Sequence, residues 1–240
     1  MLSRFQMTAA VALCVGLSVQ SLQAVPITFF GEDVAGGSLP VPNSSAAQAA
    51  FLSNISSAGV EDFESFSYLQ GSPIVATFSP FGDTATITGF EEIEAFSSSA
   101  GRFAISGTKY LQTDNGQGLS LTFSAPQAIF GFFGTDVGDF GGQLTLSFDG
   151  GTPINVPNST NAANGTALFF GYIDEDNPFS TVVFGNTNSS SDVFGFDDFT
   201  IGRAAQVQPT VPEPTSIALF GIGALGLIGF HRRKLKRTAS

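Results

Sequence analysis

From Ile74 onward, hydrophobic and polar residues alternate in short runs. Ile74-Val75-Ala76-Thr77-Phe78 and Thr84-Ala85-Thr86-Ile87-Thr88 are separated by the turn-forming stretch Ser79-Pro80-Phe81-Gly82-Asp83. Leu119, Leu121 and Phe123 alternate with Ser120 and Thr122, and Leu144, Leu146 and Phe148 alternate with Thr145 and Ser147. A period of two predicts strands with one face buried and the other in water. Between these two runs, Ala128-Ile129-Phe130-Gly131-Phe132-Phe133 is nearly all apolar, the pattern of a central sandwich strand. Thr166 to Ile173, Phe179 to Phe184 and Val193 to Ile201 read as further strands. Arg102 to Ile105 and Tyr110-Leu111 read as weaker ones, and Phe63, Phe66 and Tyr68 spread through a first strand that begins at Val60. Asp149-Gly150-Gly151 predicts a hairpin turn. Val25 to Leu39 reads as irregular. Asn43 or Ser44 is expected to cap one short helix running through Ala46, Ala47, Phe51, Leu52 and Ile55, which Gly59 ends.

Short alternating strands with a single helix predict an all-β protein. The expected fold is a jelly-roll-like β-sandwich with one short N-terminal helix, in a single domain over residues 25–205. Of the 26 Phe residues, 23 fall between residues 25 and 208, where a sandwich has inward positions for them. No fixed-period repeat is present, which argues against a solenoid.

The two ends follow a different pattern. Arg4 precedes an apolar stretch from Ala9 to Val19, and Leu22-Gln23-Ala24 follows. A basic start, an apolar middle and a small residue at the cut predict a secretory signal peptide over residues 1–24. Leu13 before Cys14 is not small, so a lipoprotein site is not expected there. After a linker at 206–210 comes Val211-Pro212-Glu213-Pro214, then an uncharged run from Ile217 to Phe230, then the basic residues Arg232, Arg233, Lys234, Lys236 and Arg237. The run predicts a short transmembrane helix over 215–230, and the basic cluster a cytoplasmic C-terminus.

Pro212-Glu213-Pro214, a short glycine-bearing apolar helix and an arginine-rich end, in that order, resemble the PEP-CTERM sorting signal of exported bacterial proteins. The resemblance covers residues 211–240 and implies an address rather than an activity. It implies a membrane-held intermediate at the inner membrane, recognised by an exosortase-type transpeptidase and cut near the motif. It also implies an end point at the cell surface or outside, in a biofilm-forming, exopolysaccharide-making host. The runs from Gly131 to Leu144 and from Asp192 to Gly202 resemble segments of PEP-CTERM ectodomains, a group of sandwich domains with no assigned activity.

Composition narrows the chemistry. Residues 25–208 hold nineteen acidic and three basic residues, a net charge of −16, and no Cys or His. That charge argues against nucleic acid as a partner. Without His or Cys, Ser-His-Asp and Cys-His catalysis and the usual zinc sites cannot be built. Carboxylate chemistry remains, so a glycan hydrolase built on two Asp or Glu residues is the alternative to a non-enzymatic binding or matrix module. Calcium, which takes hard oxygen ligands on loops, is the candidate structural cofactor. Glu64 and Asp198 resemble by chain position the calcium pair of jelly-roll carbohydrate modules. Asp136 with Asp139 is a second candidate, and exopolysaccharide is the candidate ligand.

Overall fold

In the computed structural model, residues 25–34, 37–95, 101–114, 118–188 and 192–208 are described. The elements are β1 (Ile27–Asp33), α1 (Pro42–Leu52), β2 (Gly59–Glu61), β3 (Ile74–Phe78), β4 (Asp83–Thr88), β5 (Glu92–Glu94), β6 (Tyr110–Asp114), β7 (Ser120–Gln127), β8 (Ile129–Thr135), β9 (Leu144–Phe148), β10 (Ile154–Asn155), β11 (Ala167–Ile173), β12 (Phe179–Asn186) and β13 (Val193–Gly202). They form two antiparallel sheets. One runs β1-β11-β8-β13-β6-β5, with β2 also on β13, and the other runs β10-β9-β12-β7-β4-β3. From β6 onward, β6, β8, β11 and β13 lie in the first sheet, and β7, β9, β10 and β12 in the second.

The predicted alternation has a direct physical result. In β3, β4 and the first half of β7, every second side chain points into the core shared by the two sheets, and its neighbours face outward. That core is aromatic. Phe132 lies 5.0 Å from Phe184 and 5.5 Å from Phe196, both edge-on, which favours each pair by about 0.5–1.5 kcal/mol beyond simple burial.

β8 and β11 are buried at every position because their second face is covered too. On that face, Ile129, Phe133, Phe169 and Ile173 pack with Val41, Ala47, Phe51 and Ile55 from α1 and its flanks. Gly131 and Gly171 are directly paired between β8 and β11, and the Phe51 ring sits over both. A Cβ on Gly171 would lie 2.5 Å from Phe51 Cδ2, and one on Gly131 2.9 Å from Cε1. The glycines are therefore the socket that lets the helix close on the sheet.

Five expectations change. Residues 27–33 are not irregular but form β1, which pairs with β11 along its whole length. The helix starts at Pro42, and neither Asn43 nor Ser44 caps it. Asp33, at the end of β1, accepts the backbone N–H of Asn43 (3.0 Å) and Ser44 (2.9 Å) and the Ser44 hydroxyl (2.7 Å). The run through Phe63, Phe66 and Tyr68 is a series of turns after the three-residue β2, and Arg102–Ile105 is a non-strand approach to β6. The domain extends past 205. Val207 bridges to Ile55, and the Gln208 N–H donates to the Asn54 carbonyl at 2.8 Å, so residues 206–208 are packed rather than linking. The Asp149 turn is as expected: Asp149 and Gly150 both have positive φ, and the Gly151 N–H closes onto the Phe148 carbonyl at 2.8 Å.

Candidate functional site

β13 is paired with β6 over Val193–Phe196 and with β2 over Phe199–Ile201. The handover between those partners falls at Asp197 and Asp198, where the register with β8 also shifts, and Asp198 has φ 49°. A bulge of this kind leaves backbone donors without strand partners. Carboxylates take them up. Asp197 accepts the N–H of Ile105 (2.7 Å), Ser106 (3.1 Å) and Asp198 (2.7 Å). Asp198 accepts the Ser106 hydroxyl at 2.6 Å. Glu64 accepts the N–H of Thr108 (2.6 Å) and Lys109 (2.5 Å), while Lys109 Nζ donates to the Glu64 and Phe66 carbonyls. Glu64 and Asp198, paired in the sequence reading, thus hold one loop, Ser106 to Lys109.

Burial, followed by the negative charge of Asp198, pushes the Asp197 carboxyl up to about 8 despite its three N–H donors. Burial also raises Asp198, with Asp62 adding to the effect. Burial works on Glu64 in the same sense, but the N–H groups of Thr108 and Lys109 outweigh it and hold the carboxyl below its ordinary value.

Asp136 and Asp139 lie at the turn after β8. Asp136 is buried with φ 63°; it accepts the Gly165 N–H at 2.9 Å and pairs with Arg102 at 3.4 Å. Burial raises its carboxyl, the Gly165 N–H opposes, and Asp139 adds to the rise. Asp192 joins this end: burial and a hydrogen bond with Asp139 bring its carboxyl to about 6. Among the described residues, no group of three or more His, Cys, Asp or Glu side chains is arranged to hold a metal ion.

The sequence did not single out a pocket at the open end of the sandwich. It has a volume of about 280 Å³ and lies between the β9–β10 turn and the loop joining β11 to β12. Phe148 of one sheet stacks on Tyr172 of the other, with centroids 4.2 Å apart and planes at 17°. The Tyr172 hydroxyl donates to Asp174 at 3.1 Å, and Asn177 gives Asp174 its backbone and amide N–H, each at 3.1 Å. Asp149 accepts from Ser180 and Thr181. Burial and then the Asp174 charge push the Tyr172 hydroxyl well above its ordinary value. The period-two pattern marked Phe148 as inward, but pattern alone could not say that the loop after β11 would fold back beside it.

The sorting residues Val211, Pro212, Glu213 and Pro214, the helix expected over 215–230, the basic residues Arg232, Arg233, Lys234, Lys236 and Arg237, and the signal peptide at 1–24 lie outside the described residues. Among the described residues, no helix is long and apolar enough to cross a membrane.

A comparison with curated proteins gives no match. Among solved structures, the chain is similar to the K2 cleaved adhesin domain of Lys-gingipain, at 15% identity and TM-score 0.36 over 61% of this chain and 98% of that one. It is also similar to TmCBM61, solved in complex with β-1,4-galactotriose, at 16% identity and TM-score 0.24 over 53% of this chain and 90% of that one. Residues 210–234 match the family model of the PEP-CTERM protein-sorting motif. The motif marks the protein for exosortase-dependent sorting, and so for export through a membrane-anchored intermediate that is then cleaved. By that segment, the chain is a PEP-CTERM sorting-signal protein.

Proposed function

We propose that this is a non-enzymatic cell-surface or matrix protein, released by an exosortase-type transpeptidase, whose sandwich associates with neutral exopolysaccharide. In this reading the strand orders β6-β13-β8-β11 and β7-β12-β9-β10 are those of a jelly roll, with β1 to β5 added at its edges.

One observation supports the binding role: the outer face of the six-stranded sheet. Its outward residues form rows across the strands. Val75, Thr86, Thr122 and Thr181 make one row; Thr77, Thr84 and Ser124 another; Thr88, Ser120, Val183 and Ser147 a third. No charged side chain is among them, in a domain of net charge −16. An uncharged plane of hydroxyls with strands about 4.8 Å apart suits a polyhydroxylated, uncharged chain laid across it, and offers nothing to an acidic polymer. In host cells, the intact protein is expected in the matrix fraction in cleaved form. A Pro212→Ala/Glu213→Ala/Pro214→Ala variant is expected to stay uncleaved in the membrane. Equal delivery of both to the matrix would contradict the sorting half of the proposal.

The rival reading, a carboxylate-based glycan hydrolase, needs two facing carboxyls about 5–10 Å apart across a cleft. Asp149 and Asp174 line one pocket, which favours placing it there. Their contacts, however, are with N–H and O–H donors of neighbouring turns, an arrangement that anchors loops. New reducing ends from neutral glycans, lost in Asp174→Asn, would establish the rival. Structural calcium at Glu64 and Asp198 is retained as the cofactor proposal. It is supported by two carboxylates on one loop and opposed by the donors already seated on them.

A further inference from the structure

We propose that the pocket between the β9–β10 turn and the β11–β12 loop is a subsite for one uncharged pyranose ring. The proposal rests on the reading of the sandwich as a neutral-glycan binder and names where a single sugar is gripped. The volume, about 280 Å³, lies at the small end for ligand sites and suits one ring rather than an extended chain. Its wall is the Phe148–Tyr172 stack, fixed from both sheets, so the aromatic surface is built before any ligand arrives. A pyranose has one face of C–H groups that packs on such a surface, and an edge of hydroxyls that donate hydrogen bonds.

The polar groups match that edge. Asn177 gives its N–H groups to Asp174 and presents its amide oxygen as an acceptor. Asp149 Oδ1 takes three donors from Ser180 and Thr181, so Oδ2, which accepts only one of them at 3.2 Å, has acceptor capacity left. Thr152 is exposed at the mouth and adds a hydroxyl. These acceptors can each take a hydrogen bond from a sugar hydroxyl. Among the described residues, the lining holds two carboxylates and no Lys, Arg or His, so a uronate, sulfate or phosphate would meet like charge in a partly desolvated site. The sugar class is therefore neutral, and acidic sugars are excluded.

The test is saturation-transfer NMR on the full chain in a detergent without sugar headgroups. The probes are methyl β-glucopyranoside, methyl β-galactopyranoside and glucuronate. Transfer from protein aromatic protons to at least one neutral glycoside is expected, with glucuronate at least tenfold weaker. Asn177→Ala removes one hydrogen bond and should weaken the neutral glycoside about fivefold. Thr152→Trp closes the mouth from the opposite wall and should abolish transfer. Melting temperature checks that both variants remain folded.

No transfer to either neutral glycoside, equal transfer to glucuronate, or transfer unchanged in both variants would overturn the subsite. The sheet face is read separately, by sedimentation with polysaccharide. If the polysaccharide is still bound while the glycosides are not, the subsite fails and the broader reading stands. If glycoside transfer survives while polysaccharide sedimentation is lost in Thr86→Lys/Thr122→Lys, the subsite stands independently of the face.

Discussion

The two sheets of this sandwich use the same strand chemistry for opposite ends. In the seven-stranded sheet, β8 and β11 are covered on both sides, by the other sheet and by α1 with its flanks, and are buried throughout. Among the described residues, the six-stranded sheet is closed on one side only, and its other side carries rows of Thr, Ser and Val. The first is where the protein is held together. The second is where it has surface to offer. The contrast shows that burial on two faces needs glycine as much as phenylalanine: without the Gly131–Gly171 pair, Phe51 could not reach the sheet.

That contrast can be broken in order of size. Phe51→Ala should cost about 4 kcal/mol, since it empties a fully buried ring site between Phe29 and Phe169. Gly171→Val should cost about 3 kcal/mol by driving a branched side chain into the same ring. Thr122→Val on the open face should stay within about 0.5 kcal/mol. Urea unfolding of the three variants measures the ratio, and equal losses on both sheets would erase the distinction.

A smaller effect is expected from pH. Asp192 and Asp197 are raised to about 6 and about 8, and Glu61, Asp136 and Asp198 are raised as well, burial being the leading cause in each. Their unfolded values lie near about 4. The native state therefore binds protons more tightly than the unfolded chain. The stability from these groups is fully present below about pH 4 and is lost as pH rises through about 6 to 8. Glu64 and Asp83 act oppositely: their carboxyls are lowered, so their contribution is lost only as pH falls below about 4. The melting temperature should be a few degrees higher at pH 5 than at pH 9, and a rise toward pH 9 would contradict the burial of Asp197.

Asp33→Ala should cost about 1–2 kcal/mol, as loss of a helix cap does, and should loosen α1 without touching the outer sheet. Hydrogen exchange in the helix reads this directly. The smallest effect is calcium: a melting-temperature rise with Ca²⁺ over EGTA, lost in Glu64→Gln, would establish the cofactor, and a flat response would remove it.

Much of this was legible in the residues. Alternation in β3, β4, β7 and β9 placed both faces correctly because one-sided burial writes a period of two into the sequence. The nearly all-apolar run at 128–133 announced a central strand. What covered its second face was not legible, because Phe51 meets Gly171 only through tertiary packing. β1 was missed because a strand needs a partner: Ile27–Asp33 is half-exposed, and its partner, β11, lies over a hundred residues away. Asp33 as a helix cap was missed for the same reason, since local spacing cannot show a cap ten residues upstream. At the candidate sites, Glu64 and Asp198 each bond the Ser106–Lys109 loop, and the bulge at Asp197 beside them follows from a register shift that no pattern displays.

The most direct test of the binding claim is sedimentation of the full chain with purified neutral polysaccharide from its host. The unmodified protein is compared with Thr86→Lys/Thr122→Lys, which places two charges in the middle of the uncharged face. The account predicts that the unmodified protein sediments with the polymer and the double variant stays in solution at unchanged melting temperature. Equal sedimentation of both, or sedimentation with an acidic polysaccharide instead, would contradict it.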